Sequence, residues 1–233
     1  MISMYIPCYN EEKQLAENII KICQALQRIK KQFEIVIIDD GSIDRTALQA
    51  KILEKKYKEI KYEWYKNGPS RRENLGKAMK SAKGEIIAFM DLDLSVDLMH
   101  LPQLIESIEN GNDIAIGSRY KGVQAKRSAA RLIISTMYNF FMYLYLNSQI
   151  HDHQCGFKAF KKEKLLPVLE EMGYDNQFVR GWFWDVELLL RAQKKGYKID
   201  EFSVQWNAGK QSSFDLKREL RMLPYVLKLR WRL

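Results

Sequence analysis

The sequence has few cysteines and lacks the two glycine-rich motifs that most often bind phosphate groups in α/β proteins. Its 3 cysteines are odd in number and widely separated, which disfavours a disulfide framework and indicates reduced thiols in the cytoplasm. Neither G-x-G-x-x-G nor G-x-x-x-x-G-K-[ST] occurs at a predicted strand-to-helix turn. These absences argue against a dinucleotide-dependent dehydrogenase and against a P-loop NTPase.

Long apolar runs are also missing. The longest apolar-rich stretch, residues 132–146, is too short and too interrupted to span a bilayer comfortably. The chain opens on a strand-like run, so we expect no signal peptide. With 233 residues, of which 46% are hydrophobic and 29% charged, the chain has a globular composition. It suffices for one sizeable α/β domain, or for a domain with a C-terminal appendage.

Strand patterns and helix patterns alternate along the first half of the chain. Apolar runs mark strands, and amphipathic stretches with helical periodicity mark the helices between them. Regular alternation of this kind predicts right-handed βαβ units and a doubly wound α/β sheet. The predicted strands are Ile2–Ile6, Phe33–Asp39, Ile60–Tyr65, Glu85–Met90, Ile114–Gly117 and, later in the chain, Ile199–Gln205. The predicted helices of the first half are Glu11–Ile29, Asp44–Lys58, Glu73–Ala82 and Asp97–Glu109.

Charged side chains stand at the carboxyl ends of these predicted strands. Asp39 and Asp40 end the second strand. Asp91 and Asp93 follow the fourth, and Arg119 follows the fifth. Because ligands of open α/β sheets bind at this edge, we expect these groups to converge on one site. Carboxylates suit a hard cation and an arginine suits phosphate oxygens, so the site fits a metal–diphosphate ligand. An isolated D-x-D could instead be a pair of loop aspartates, one of which caps the next helix.

A series of segments follows in a recognisable order: IPCYNEE, IIDDGSIDRT, NLGKAMKSAKGEIIAFMDLDLS, IAIGSRY and DHQCGFKAF. Further matches are R-x-x-x-S-x-x-x-N at residues 131–139, WDVELL at 184–189, QWN at 205–207 and the final LRWRL. The series resembles family 2 glycosyltransferases with the GT-A fold and covers nearly the whole chain. Its later segments are similar to the polyprenyl-phosphate branch, and more to dolichyl-phosphate β-glucosyltransferases than to mannosyltransferases. The resemblance implies a Rossmann-like nucleotide-sugar-binding sheet flanked by helices.

The resemblance also implies roles for the residues that match the family's motifs. Asp91 and Asp93 match the D-x-D motif, which would hold Mg²⁺ or Mn²⁺ on the donor diphosphate, with Leu92 beside the nucleotide. Arg119 and Arg131 match basic positions expected to contact phosphate on the donor or on the lipid acceptor. The nucleotide-binding positions implied in the same way are Pro7, Tyr9, Glu11, Asp39, Asp40 and Lys77.

Three further acidic residues bear on the sugar and the acceptor. Asp152 opens a segment that, with Gly156 and Phe157, would line the sugar and acceptor region. Asp185 and Glu187 fall where many family members carry an acidic group near the acceptor. Because a polyprenyl monophosphate is already an anion near neutral pH, its oxygen can attack without a strong base. We therefore expect Asp185 to support the site, and we expect attack opposite the leaving group to give a β-linked lipid product.

Departures from the mannosyltransferase pattern bear on the donor. That branch usually has a third polar residue soon after D-x-D and an arginine near the position of Asn207. Here Leu94-Ser95 follows D-x-D, and Lys210 becomes the substitute phosphate contact. UDP-glucose is the favoured donor, with UDP-N-acetylglucosamine and GDP-mannose as alternatives. No Q-x-x-R-W motif follows Glu187, which disfavours a processive polysaccharide synthase.

The C-terminal residues are basic and amphipathic, within a chain of net charge +9. Leucines at 216, 220, 223 and 227 share one helix face, and Pro224 is expected to kink or divide the helix. Such a helix suits an anionic membrane surface. A tail that binds nucleic acid and a helix docked on the domain are the alternatives, but aromatic stacking platforms beside the charges are sparse.

These patterns predict a division of the chain and a location. Residues 1–210 would form the GT-A domain, including a membrane-proximal helix at about 126–147, and residues 211–233 a membrane-contacting segment. We expect no nucleic-acid partner and expect peripheral or monotopic attachment at the cytoplasmic face of a membrane. For the whole chain, the alternative to an enzyme is a catalytically idle nucleotide-binding module recruited to membranes.

Two local patterns have competing interpretations. Arg131, Ser135 and Asn139 share a helix face, which indicates either a core helix with a buried polar seam or a membrane-contacting helix whose polar face is turned towards the site. The run from His151 to Cys155 could suggest a soft-metal site. Structural zinc needs four well-placed ligands, however, and the sequence has no second cluster.

Overall fold

The computed structural model describes residues 1–66, 72–120, 141–174, 180–181, 183–207 and 216–233, with side chains from residue 224 onward in the last range. Two candidate site residues, Arg131 and Lys210, lie outside these ranges. Ser135 and Asn139 of the predicted polar stripe lie outside them as well. The roles of these four residues stay predictions.

A seven-stranded sheet forms the centre of the described structure. Its strands are β1 (Ile2–Cys8), β2 (Phe33–Asp39), β3 (Ile60–Trp64), β4 (Ile86–Met90), β5 (Ile114–Ser118), β6 (Phe157–Lys161) and β7 (Ile199–Ser203). They lie in the order β3-β2-β1-β4-β6-β5-β7. Neighbouring strands are parallel except for β6, which runs antiparallel to both β4 and β5. The carboxyl ends of β1, β2, β4 and β5 therefore share one edge of the sheet.

Helices cover both faces of this sheet. They are α1 (Leu15–Arg28), α2 (Thr46–Lys56), α3 (Arg72–Met79), α4 (Leu101–Glu109), α5 (Lys162–Met172), α6 (Phe183–Lys194) and α7 (Leu216–Arg232), and residues 141–146 are also helical. Helices α1, α2 and α4 pack on one face, and α3, α5 and α6 on the other. Side chains of β1 alternate accordingly, with Met4 and Ile6 in the first core and Tyr5 in the second. This three-layer α/β architecture confirms the predicted fold class.

Helix α1 illustrates how the sequence pattern produces the packing. Leu15, Ile19, Ile22 and Leu26 recur at helical spacing and are all fully buried against the sheet. Full burial of a Leu or Ile side chain stabilises a fold by about 1.5–3 kcal/mol. This apolar stripe therefore holds α1 against the sheet, and α1 in turn fixes the end of the loop that follows β1 at the carboxyl edge.

Strand β6 is the element that the sequence analysis did not predict. Its sequence FKAFK puts Lys158 and Phe160 on one face and Phe157 and Ala159 on the other. Lys158 is fully buried. A buried lysine interrupts the apolar pattern by which strands are recognised. The sheet therefore contains an antiparallel strand between β4 and β5, where the alternation of strands and helices predicted parallel neighbours.

The C-terminal helix α7 packs against α6 and against residues 141–146. Its buried Tyr225 and Leu229 share an apolar cluster with Val186 of α6. The helix continues through Pro224, so the predicted division at this proline is absent. In the ranges described above, no helix combines the length and the apolar character that a membrane crossing needs.

Candidate active site

Two loops at the carboxyl edge are cross-linked by hydrogen bonds. The Asn10 N–H, after β1, donates to the Ser42 hydroxyl (2.9 Å), and the Ile43 N–H donates to Asn10 Oδ1 (2.9 Å). The Glu11 N–H donates to Thr46 Oγ1 at the start of α2 (2.7 Å). Asn10 adopts the left-handed backbone (φ 56°), which asparagine tolerates. The loops after β1 and β2 thus form one wall. The predicted nucleotide contacts Pro7, Tyr9 and Glu11 lie in or beside this wall and are partly exposed.

Asp39 and Asp40 lie buried where β2 ends and are held by protein donors. Asp39 accepts hydrogen bonds from the Ser42 N–H and the Tyr62 hydroxyl, both at 2.8 Å. Asp40 accepts one from Asn74 Nδ2, in the first turn of α3 (2.8 Å). Because buried carboxylates need donors, these bonds fix both side chains in place. Their contact with the base and ribose stays a prediction.

Asp91 and Asp93 occupy a tight turn directly after β4. The Asp91 N–H donates to the Gly156 carbonyl (2.9 Å), and Asp93 Oδ1 accepts from the backbone N–H two residues on (3.0 Å). Between them, the Leu92 side chain is buried in the core, and its carbonyl accepts from Asn18 Nδ2 (3.0 Å). Leu92 therefore anchors the turn. The Asp91 side chain is 37% exposed and Asp93 is exposed, so both carboxylates are accessible.

The Asp91 carboxylate lies directly against Gly156. A Cβ atom at Gly156 would overlap the carboxyl carbon and both oxygens of Asp91. The antiparallel pairing of β6 with β4, in which Met90 faces Phe157, brings Gly156 to this position. Strand β6 therefore defines one side of the D-x-D turn.

Arg72 and Lys158 are charged site residues that the sequence analysis did not identify. The Arg72 guanidinium donates to Asp91 Oδ1 (3.1 Å) and pairs with Asp185 Oδ2 (3.5 Å). Lys158 Nζ donates to Asp185 Oδ1 (2.9 Å) and to the Cys155 carbonyl (2.5 Å). Asp185 is buried with both oxygens facing cations. Neither residue is marked by its local sequence, because a charged residue is normally exposed and the partners of both lie far away along the chain.

Arg119, at the end of β5, is held in a fixed orientation by Asp152. Its Nε and Nη2 donate to the two oxygens of Asp152, each at 2.7 Å, and its backbone N–H adds a third bond (2.9 Å). Asp152 is buried, and its own N–H donates to Glu201 of β7 (2.8 Å). The paired bonds fix the plane of the guanidinium. Asp152 therefore orients Arg119, and its place beside the sugar and the acceptor stays a prediction.

Lys77 and the histidine run complete the predicted positions. Lys77 is exposed on α3, with its ammonium group 5.7 Å from the centroid of the Tyr65 ring. Tyr65 directly follows β3, so Lys77 lies near the same carboxyl edge.

His151 pairs with Glu201 (2.9 Å), whereas burial lowers the pKa of His153 to about 4. The histidines flank Asp152, and one of them shares its Glu201 anchor.

Electrostatic repulsion at the D-x-D turn favours a cation. Asp91 is partly buried, and the loss of water around its carboxylate raises its pKa. Neighbouring Asp93 and Asp185 raise the pKa further, against the opposing effect of Arg72. The pKa of Glu11 is raised mainly by burial, with Asp93 contributing. Like charges held this close disfavour each other's ionised form. A divalent cation would relieve the repulsion.

Asp91 and Asp93 fit a metal ion that is shared with a ligand. No group of three or more His, Cys, Asp or Glu side chains among the described residues could hold a metal by itself. Mg²⁺ typically uses one or two carboxylates and completes its coordination with substrate phosphates and water. The Arg119 guanidinium carbon lies 5.7 Å from the centroid of the Trp206 ring. The backbone of Trp206 forms an antiparallel β-bridge with Val96, in the loop that follows the D-x-D turn. The donor set and the neighbouring arginine therefore suit a metal–diphosphate ligand.

This fold and this site have the features expected of a GT-A glycosyltransferase. The sequence model of the family described as Glycosyl transferase family 2 matches residues 3–168 of the chain. The chain therefore belongs to family 2 and is a glycosyltransferase, as the order of its motifs predicted.

Curated relatives extend the similarity over the whole chain. Glycosyltransferase AglD of Haloferax volcanii is 32% identical over 237 residues, which cover 100% of this chain and 37% of AglD. Dolichyl-phosphate beta-glucosyltransferase ALG5A of Trichomonas vaginalis is 29% identical, over 98% of this chain and 72% of that protein. The dolichyl-phosphate beta-glucosyltransferase of Saccharomyces cerevisiae is 28% identical, over 88% of this chain and 66% of that protein. The chain thus spans little more than a third of AglD.

A solved structure has the same fold. It is glucosyl-3-phosphoglycerate synthase from Mycobacterium tuberculosis, crystallised with Mn²⁺, uridine diphosphate and glucosyl-3-phosphoglycerate. The TM-score is 0.68 at 15% sequence identity, over 98% of this chain and 78% of that one. At this identity the likeness concerns the fold, and it confirms the GT-A architecture.

Proposed function

We propose that this glycosyltransferase moves a single sugar to a polyprenyl phosphate, with a divalent metal and with inversion at the anomeric carbon. The observation that carries the proposal is the convergence of Asp91, Asp93 and a pre-oriented Arg119 at one sheet edge. The names of relatives that align over 98% and 88% of the chain support dolichyl phosphate as the acceptor. Glucose from UDP-glucose is the proposed donor, giving a β-linked lipid-phosphate sugar.

The described residues suit attack by a phosphate oxygen. Asp91 and Asp93 would hold Mg²⁺ or Mn²⁺, which supplies positive charge for the leaving diphosphate. Arg119, oriented by Asp152, offers paired donors to a phosphate oxygen on the donor or the acceptor. Asp185 faces two buried cations, so it presents no free base. A phosphomonoester acceptor needs none, because it is ionised near neutral pH.

We infer that the enzyme works at the cytoplasmic face of a membrane, attached peripherally or monotopically. The Tyr145 hydroxyl donates to the Leu227 carbonyl of α7 (3.0 Å), which joins residues 141–146 to the C-terminal helix. Exposed apolar side chains there stand beside exposed cations, as at an interface with anionic lipid. The apolar members are Tyr143, Leu144, Leu227 and Trp231, and the basic members are Lys228, Arg230 and Arg232. We call these seven residues the basic–aromatic surface.

A donor panel tests the proposal. The protein in detergent with a polyprenyl phosphate and Mg²⁺ or Mn²⁺ receives radiolabelled UDP-glucose, UDP-N-acetylglucosamine or GDP-mannose in parallel. We expect labelled lipid from UDP-glucose, no product with EDTA, and a loss of about 100-fold or more in Asp93→Asn. Asp97→Asn is the matched control, because Asp97 lies in the same loop but its carboxylate caps the Met99 N–H (2.9 Å).

The other outcomes are equally informative. Product from a different nucleotide sugar alone would replace the donor and keep the reaction. Nucleotide binding without lipid product from any of the three donors would contradict the proposed acceptor. With no transfer to other acceptors either, the chain would instead be a nucleotide-binding module recruited to membranes.

A further inference from the structure

Four charged side chains of alternating sign form a row from the D-x-D turn into the core. In order they are Asp91, Arg72, Asp185 and Lys158, and the successive N–O separations are 3.1, 3.5 and 2.9 Å. Side-chain exposure falls from 37% at Asp91 to 9% at Arg72, 2% at Asp185 and 0% at Lys158. The Asp91 end is therefore the one most open to the site.

The two cations of the row are held by more than charge. The Arg72 guanidinium carbon and Lys158 Nζ lie 5.4 and 5.1 Å from the centroid of the same ring, that of Phe89. Phe89 belongs to β4, the strand that leads directly to Asp91. A buried ion that left this row would leave its partner unpaired, which is strongly unfavourable. The row is thus a fixed part of the fold.

We propose that Asp185 is a positioning residue for the metal site, which acts on Asp91 through Arg72. The negative charge of Asp185 partly neutralises the positive charge of Arg72. The guanidinium can therefore orient the Asp91 carboxylate without strongly repelling a cation bound to it. Lys158 holds Asp185 from the opposite side. The inference rests on the proposed function, because it takes Asp91 as a metal ligand.

The geometry separates this role from that of a general base. A base must present an oxygen within hydrogen-bond reach of the acceptor proton. Asp185 has Oδ1 on Lys158 and Oδ2 on Arg72 and is almost inaccessible. Without the charge of Asp185, the positive charge of Arg72 would act more strongly on Asp91 and would oppose the cation. Loss of that charge should therefore weaken metal binding.

Metal titration of Asp185→Asn tests the proposal directly. Free Mn²⁺ is followed by electron paramagnetic resonance while the protein is titrated in the presence of UDP. We expect the Kd for Mn²⁺ to rise about tenfold or more, as for other residues that support metal ligands indirectly. Transfer by the variant should recover at saturating Mn²⁺. If Asp185 were instead a general base, Asp185→Asn would keep the metal affinity of the wild type, and saturating Mn²⁺ would not restore its kcat.

Glu187→Gln is the matched control. Glu187 lies two residues after Asp185 on α6 and is as deeply buried as Asp185. It pairs with Arg180 (3.2 Å) and Arg191 (2.8 Å). Its replacement removes a buried charge outside the row. We expect the Kd for Mn²⁺ to stay within about twofold of wild type, as for independent sites.

A second background keeps the test valid if Asp185→Asn fails to fold. The double variant Arg72→Gln/Asp185→Asn loses one charge of each sign, so the row keeps its net charge. The Asp185 substitution should leave the Mn²⁺ Kd unchanged in the Arg72→Gln background, because the charge that it balances is gone.

Two results would overturn the inference. One is an unchanged Mn²⁺ Kd in Asp185→Asn, and the other is an equal rise in both backgrounds. These titrations need no acceptor. A wild-type protein that binds Mn²⁺ and UDP but makes no lipid product would refute the proposed acceptor and leave this test intact.

Discussion

Gly156 shows how little space surrounds the D-x-D carboxylate. Its backbone accepts the Asp91 N–H, and any side chain at this position would overlap the Asp91 carboxyl group. The requirement here is for close approach, because β6 lies beside β4 at the point where the turn begins. The residue that limits the site is therefore a glycine that carries no functional group.

Gly156→Ala should damage the metal site more than the fold. The new methyl group must displace the Asp91 carboxylate, so we expect Mn²⁺ affinity and sugar transfer each to fall about tenfold or more. Titration with Mn²⁺ and the transfer assay measure the two effects.

Gly196→Ala is the control for this substitution. Gly196 has a left-handed backbone (φ 71°) with no atom within 4 Å of an added Cβ. Its replacement should cost about 1 kcal/mol of stability and leave transfer unchanged. Full activity in Gly156→Ala would mean that the Asp91 carboxylate can lie elsewhere without loss.

Single residues also show what a sequence can and cannot predict. Asp91, Asp93 and Arg119 were predictable because they follow recognisable strands whose carboxyl ends share one edge. Arg72 and Lys158 were not, because their burial depends on partners 19 and 27 residues away, Asp91 and Asp185 respectively. A charged residue is normally exposed, and local sequence gives little sign of an ion pair formed in the core.

At the scale of elements, the C-terminal helix is tied to the domain by a polar contact inside an apolar cluster. The Tyr225 hydroxyl of α7 donates to Glu187 of α6. Arg191 of α6 donates to the Arg232 carbonyl at the end of α7 (3.3 Å). Leu229 is buried beside these groups. Helix α7 is thus positioned against the helix that carries Asp185.

Tyr225→Phe should loosen this attachment. The change keeps the ring and removes a buried hydrogen bond to a carboxylate, so we expect a loss of about 1–2 kcal/mol in the free energy of unfolding. Urea denaturation measures the loss. Leu227→Ala, on the exposed side of α7, should change stability by less than about 0.5 kcal/mol. Equal stability of Tyr225→Phe and wild type would show that apolar packing alone holds the helix.

The elements also differ in how readily the sequence predicts them. The strands β1, β2 and β4 are nearly continuous apolar runs, and they were predicted within a few residues. Strand β6 was missed because it is short and carries a buried lysine. The sequence left open whether Pro224 kinks or divides the C-terminal helix, and α7 continues through it. A proline removes one helical hydrogen bond, and the packing of the residues after it against α6 supports the helix.

At the scale of the whole molecule, the basic–aromatic surface is the part of the described chain that we propose to contact lipid. Its Trp231 side chain is 88% exposed, next to exposed Arg230 and Arg232. Tryptophan favours the membrane interface, and each cation near anionic lipid contributes about 1 kcal/mol. An acceptor with a polyprenyl tail is available only at such an interface.

Sedimentation with vesicles tests this surface. We expect binding to vesicles with about one third phosphatidylserine to weaken as salt rises and to fall about tenfold in Lys228→Gln/Arg230→Gln/Trp231→Ser. The matched control is Lys51→Gln/Lys55→Gln/Ile52→Ser, which alters an equally mixed exposed face of α2. Equal losses in both triple variants would locate the membrane contact elsewhere.

The choice of acceptor tests the central claim most directly. One assay would compare UDP-glucose transfer to a polyprenyl phosphate and to the matching unphosphorylated polyprenol, in the same vesicles with Mn²⁺. An ion-paired Asp185 cannot activate a hydroxyl group, whereas a phosphate oxygen is already ionised. We therefore predict a glucosylated product from the phosphate only, in β linkage. Transfer to the alcohol at a comparable rate, or to neither lipid while UDP and Mn²⁺ bind, would contradict the account.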